Sequence, residues 1–181
     1  MNIKILIEKL EKLTNKKVIL EDNKLYYSKY IKPIKLDERL LKKKEEFDKN
    51  IVIKGNELTY KGNLGWDDDK IVNYAILLKY YKNYIINVKG AVDINNLNLK
   101  EIEIQFGSVD GAFDCSWNYI TNLKGCPFVI GNDFSCTDNE LTSLDGCPKK
   151  VGNSFWCRNN SKKFTKEEVK ELCEVKGAVF S

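Results

Sequence analysis

The stretches FDCSWNYITNLKGCP, from Phe113, and FSCTDNELTSLDGCP, from Phe134, agree at Phe, Cys, Asn, Leu, Gly, Cys and Pro. The spacing is 21 residues, and it carries Phe155, Cys157 and Asn160 into step with Phe134, Cys136 and Asn139. One step earlier, GAVDINNLNLKEI from Gly90 overlays GAFDCSWNYITNL from Gly111, with Val92 in the Phe slot and Ile94 in the Cys slot. A fixed period of this length means that each unit is one coil of a stacked array, because a single coil cannot bury its apolar side alone.

Three explanations of the recurring cysteines compete: a metal site, a disulfide framework, or a core position. Successive gaps from Cys115 to Cys157 are 11, 10, 11 and 10 residues, with no C-x-x-C pair to clamp a zinc ion. Stacked coils would hold equivalent cysteines about 4.8 Å apart, within reach of a disulfide. In-register side chains point the same way, however, and a reducing compartment opposes the bond. Isoleucine at position 94 favours the third explanation, in which the slot takes a small buried hydrophobe. Neither a metal nor a cofactor is expected.

The unit Phe113-x-Cys115-x-x-Asn118-x-Ile120-x-x-Leu123 has the spacing of a leucine-rich repeat, which the chain resembles over about residues 90–161. Alternation at Phe113 and Cys115 predicts a short strand, Asn118 a turn whose backbone it satisfies, and Ile120 and Leu123 the far wall of the interior. Gly-Cys-Pro then ends the segment. The closest likeness is to Cys- and Asn-rich repeats of bacteriophage proteins, roughly G-x-F-x-C-S-N-N-x-L-T-S-L-x-G-x-P. Leu97 replaces Asn in the first unit and Lys162 replaces a core residue in the last, so the array is expected to fray or be capped at both ends.

The fold expected is α+β. Residues 1–88 form a mixed N-terminal region, with a helix at 3–13, a strand pair or irregular segment in VILEDNKLYYSKYI, a helix in LDERLLKKKEEFDKN and a hairpin turning at Gly55-Asn56. A cap helix over about 67–86 starts at Asp67, Asp68 and Asp69, which suit the positive end of a helix dipole better than a metal site. Residues 89–181 form a leucine-rich-repeat-like solenoid of about four coils, closed by a helix over about 165–175. Thr165 and Glu168 supply its capping box, Val169, Leu172 and Cys173 its apolar stripe, and Gly177 its end.

Composition narrows the chemistry. The 181 residues include no histidine, which removes Ser-His-Asp and Cys-His nucleophiles and histidine metal ligands. A phosphate loop, a G-x-S-x-G elbow and a convincing carboxylate pair are also absent from the sequence, so an enzyme is not expected. No apolar run approaches the ~18 residues of a membrane span, and the expected location is the cytoplasm, with no membrane partner. Residues 1–90 carry 20 Lys and Arg against 13 acids, whereas residues 91–181 carry 10 against 13. The two halves therefore present different surfaces.

Side chains between the apolar strand positions face outward. The central slot holds Asp114, Ser135 and Trp156, and the slot after the cysteine holds Ser116, Thr137 and Arg158. Trp and Arg are the side chains most enriched at binding hot spots, so Trp156 and Arg158 head the candidate partner site, with Trp117 extending it. The alternative for Trp156 is packing under the C-terminal helix. In the basic half, Lys79, Tyr80, Tyr81, Lys82 and Tyr84 interleave charge and aromatic rings, as a platform for single-stranded nucleic acid would.

The function expected is non-enzymatic protein recognition. The phage resemblance implies a host protein as partner, reached in the host cytoplasm, and an inhibitor that occludes a host defence protein such as a CRISPR nuclease, a nucleic-acid-bound effector. A virion or assembly component and a nucleic-acid binder are the two other classes the sequence allows.

Overall fold

A computed structural model describes residues 18–21, 24–27, 36–65 and 70–181. The helix expected at 3–13 and the aspartates at 67–69 lie outside them. Val18–Glu21 (β1) and Lys24–Tyr27 (β2) pair antiparallel, so that segment is a strand pair rather than irregular. Helix α1 spans Leu36–Asp48, and Ile51–Lys54 (β3) and Glu57–Tyr60 (β4) form the expected hairpin around Gly55.

The next helix differs from expectation. Lys70–Ile76 (α2) runs into a π-helical turn, Leu77–Tyr81, and stops. Ile85–Val88 (β5), assigned from sequence to the end of that helix, is a strand. Its apolar residues alternate, Ile86 and Val88 being buried, and this period of two suits a sheet rather than a helix.

From β5 the chain winds into a β-solenoid of about five turns with two parallel sheets. One contains β5, Gln105–Val109 (β7), Val129–Ile130 (β9), Lys150–Val151 (β11) and Glu174–Val175 (β13). The β3–β4 hairpin extends it through β4, which lies parallel to β5. The other contains Val92–Asp93 (β6), Phe113–Asp114 (β8), Phe134–Ser135 (β10), Phe155–Trp156 (β12) and Val179–Phe180 (β14). One buried cluster runs from Leu40 to Val179, across the boundary drawn from sequence at residue 88.

Five turns replace the four coils read from the repeat because β13 and β14 add one strand to each sheet after the last recognisable unit. The C-terminal helix, Lys166–Leu172 (α3), therefore precedes the last two strands. Its capping box forms as expected: Glu168 N donates to Thr165 Oγ1 at 3.1 Å, and Thr165 N donates to Glu168 Oε2 at 2.8 Å. The helix ends at Cys173 rather than near Gly177, since Glu174 and Val175 are held in register against Lys150 and Val151. Val169 and Cys173 are buried, while Leu172 is exposed.

The interior is built level by level. Phe106, Phe113, Phe134 and Phe155 form a ring column with successive centroids 5.2, 6.2 and 4.8 Å apart. Cys115, Cys136 and Cys157 line a second column beside Ile94, and all six cysteines are free and buried. Burial pushes the thiols of Cys126, Cys136, Cys147, Cys157 and Cys173 away from ionisation, with Cys157 up to about 11 and Cys173 up to about 12. These are core residues rather than ligands or nucleophiles. Gly125 turns the chain at φ +89°, where a Cβ would stand 2.3 Å from the Ile102 carbonyl oxygen of the coil below, so only glycine fits.

The asparagines fasten one coil to the next. Asn139 Nδ2 lies 3.0 Å from Cys115 O in the preceding coil, 3.2 Å from Cys136 O and 3.2 Å from Thr137 O in its own. Its Oδ1 accepts from Ile120 N. Asn118 bonds Ile94, Cys115 and Ser116 carbonyls and accepts from Leu97 and Leu99, and Asn160 repeats the pattern one coil beyond Asn139.

Asn139→Ala is expected to cost about 2–3 kcal/mol in urea denaturation, because it strands buried carbonyls and one N–H together. A cost below about 0.5 kcal/mol would show that water replaces the carboxamide. Native protein near neutral pH should leave all six cysteines unreactive to a thiol-specific reagent such as Ellman's, and unfolded protein should expose six. A rapidly modified native thiol would contradict the core assignment.

Candidate functional site

The residues read from sequence as a central outward slot are brought into one row. Strand register places Asp93, Asp114, Ser135, Trp156 and Phe180 side by side across β6, β8, β10, β12 and β14. The row is acidic at one end and aromatic at the other. Asp93 is partly desolvated, which raises its carboxyl despite the Asn95 N–H bond and Lys70, with Asp114 adding to the rise. Asp114 accepts from Ser116 N at 2.9 Å and from Asn95 Nδ2 at 3.1 Å.

Trp156 is half-buried, and its indole lies flat on Phe180, with centroids 3.7 Å apart and planes 14° from parallel. The Arg158 guanidinium sits 5.9 Å from the Trp156 ring and 5.3 Å from the Phe180 ring. The ring pair ties β12 to the last strand, with the Arg158 guanidinium alongside it. Packing therefore occupies one face of Trp156, although the partner is Phe180 rather than the C-terminal helix. Phe180 went unread in the sequence, yet it is signalled: VKGAV at 88–92 returns at 175–179, at the corner where each turn passes from one sheet to the other.

The second slot is not uniformly outward. Ser116 is buried and its Oγ donates to Asp114, so it fixes the turn instead of meeting solvent. Thr137 is half-buried, and its Oγ1 has no hydrogen-bond partner. Arg158 alone of the three is exposed.

Trp117 stands apart. Its backbone is left-handed at φ +57°, and the residues in step with it in the other coils, Asn96, Asp138 and Asn159, share that conformation at +52°, +54° and +55°. The N–H groups of Asn96, Trp117 and Asp138 each bond the next coil, as Trp117 N does to Thr137 O at 3.0 Å, so the stack supports the conformation. Asn and Asp tolerate it; a bulky aromatic does so at a cost of about 1–3 kcal/mol. The indole is 63% exposed, and Tyr119, two residues on, is 42% exposed. Asp138 and Glu140 occupy the same positions in the next coil. The result is an aromatic pair with carboxylates beside it on the ridge of turns.

The lysine–tyrosine segment is used differently. Tyr81 is buried, stacks on Phe47 at 5.8 Å and donates to Asp48, which also receives Lys44. Burial first, and the Asp48 bond second, raise the Tyr81 hydroxyl's pKa. Tyr80 and Tyr84 pack against the core, with Lys44 and Lys79 each 5.0 Å from the Tyr80 ring. Lys82 is exposed, and Tyr80 and Tyr84 beside it are half-buried.

Among the described residues no group of three or more metal-ligating side chains converges, and no helix is long and apolar enough to cross a membrane.

Trp156→Ala and Phe180→Ala should each destabilise the fold by about 2 kcal/mol, from lost apolar contact. The double variant should fall short of the sum by about 0.5–1.5 kcal/mol, the coupling of one ring pair. Additivity within about 0.3 kcal/mol would show the two rings to be energetically independent. Compared with known proteins, the chain matches no family model, no curated protein and no solved structure.

Proposed function

We propose that this chain is a non-enzymatic protein-binding module that docks its partner on the ridge of turns centred on Trp117. One observation carries this reading: an exposed tryptophan occupies a left-handed backbone position that the neighbouring coils fill with Asn or Asp. The residue costs stability where it stands and gains little by packing. Such strain is expected at a functional position, and tryptophan is a leading hot-spot side chain.

Tyr119 widens the anchor, and Asp138 and Glu140 set the polarity of what fits: an apolar side chain flanked by Lys or Arg. Asp114 and Asp93 extend the same negative character along the neighbouring strand row. In this reading the helices serve the ends. Helices α1 and α2 pack on each other, and α3 contacts β13 and β14. The resemblance to phage repeats makes a host defence protein such as a CRISPR nuclease the first partner class to try.

Trp117→Asn separates this reading from a structural one. The substitution is expected to raise stability by about 1 kcal/mol, since asparagine is at ease in the left-handed region. Partner capture from host lysate should fall at least tenfold, which is about 1.4 kcal/mol of binding. A variant that loses stability and keeps its partner would make Trp117 a packing residue and sink the proposal.

A further inference from the structure

Both sheets of the solenoid end in edge strands, whose outer N–H and C=O groups lie open to another chain unless something blunts them. Three of these edges are blunted. The last strands, β13 and β14, are two residues long, and Leu64 lies along the outer side of β6 through a bridge to Val92. β3, at the other end of the longer sheet, is different: it runs for four residues, with no proline, no bulge and its one charge at the turn end. Val52 and Ile53 are 38% and 43% exposed there. Among the described residues no strand pairs with its outer side.

The register of the β3–β4 hairpin says which groups are open. Lys61 N donates to Asn50 O at 2.8 Å, which makes Asn50 and Lys61 a hydrogen-bonded pair. Such pairs alternate along an antiparallel ladder, so Val52 and Lys54 also bond across to β4, while Ile51 and Ile53 direct their N–H and C=O groups outward. Side chains alternate too: Ile51 and Ile53 share the core side with Tyr60 and Leu58, and Val52 and Lys54 share the other side with Thr59 and Glu57. An antiparallel copy of the same strand, related by a two-fold axis at Val52, sets Ile51 opposite Ile53 twice and uses every open group of both residues. In that register the exposed Ile53 of each copy packs beside Ile51 of the other, Val52 meets its own equivalent, and Lys54 falls opposite Asn50, so no like charges are directly opposed.

We propose that β3 pairs with β3 of a second copy of this chain, continuing the seven-stranded sheet of one copy into that of the other across a two-fold axis. A second copy is the occupant because the edge is complementary to itself in backbone groups, in apolar contact and in charge. Main-chain bonds supply the attraction, and the isoleucine pairs with Val52 on the axis fix the register. Four residues on each side make a small interface, so the dimer is reversible. The site involves no part of the Trp117 ridge and does not depend on it.

The test is sedimentation velocity of the whole chain from about 5 µM to about 500 µM, which should show a monomer–dimer equilibrium with a dissociation constant in the micromolar range. Val52→Lys and Val52→Glu each put like charges on the axis, at the close spacing of a non-hydrogen-bonded pair, and should each weaken dimerisation by about tenfold or more. An equimolar mixture of the two variants should recover it to within about threefold of the unaltered chain, because residue 52 then meets the opposite charge. Val52 is exposed, so both variants should melt within a few degrees of the unaltered chain. A chain that stays monomeric throughout that range would overturn the proposal, as would undiminished dimerisation in either variant. Two weakened variants whose mixture does not recover would overturn the two-fold pairing at Val52.

Discussion

The carboxamide of one asparagine per coil is the bond on which the stack depends. Each turn leaves three carbonyls from two successive coils pointing inward, away from water, and a hydrogen-bond donor must reach all of them. Asn139 does so with a single Nδ2 while its Oδ1 takes an N–H from the coil before. No apolar side chain could fill the same space without leaving those groups unpaired, a cost of about 1–3 kcal/mol each. Phenylalanine and cysteine columns supply apolar burial, but burial alone is indifferent to register. The asparagine makes the register specific.

This explains why the solenoid was legible in sequence and its edges were not. Phe113, Cys115 and Asn118 each repeat because each meets its own equivalent in the next coil, so structure writes a period into sequence. Strands β9 and β11 follow the Gly-Cys-Pro steps that were read as ending the unit, so the second sheet went unread. The fifth turn was obscured by the insertion of α3, which breaks the spacing although VKGAV returns at the corner. The segment read as a long cap helix failed at Ile85 because a sheet edge was waiting to be extended by Ile86 and Val88, and tertiary pairing outweighs helical propensity.

The candidate site divides along the same line. Register put Asp114, Ser135 and Trp156 in one row, as a period of 21 requires. What sequence could not supply was backbone handedness. Trp117 looked like one more outward aromatic until its φ placed it among Asn96, Asp138 and Asn159. The comparison that exposes it is available in sequence, since those residues occupy equivalent positions, but its meaning comes from the cost of a left-handed tryptophan. Trp156 shows the reverse case: prominent in sequence, it is half absorbed by Phe180, a residue 24 positions on that the repeat did not include.

A stacked array separates stability from recognition more cleanly than a globular core does. Phe134, Cys136, Asn139, Leu141 and Leu144 serve only the interior of their coil, and the positions between them are free to vary as long as the backbone stays in register. A costly side chain on that outer face is then confined to one coil, because its neighbours hold the turn through their own carboxamides. The left-handed position at 117 is tolerable for this reason. The bonds of Asn118 below it and Asn139 beside it fix the turn whatever residue occupies the ridge, so strain is carried by the stack rather than relieved by refolding the loop.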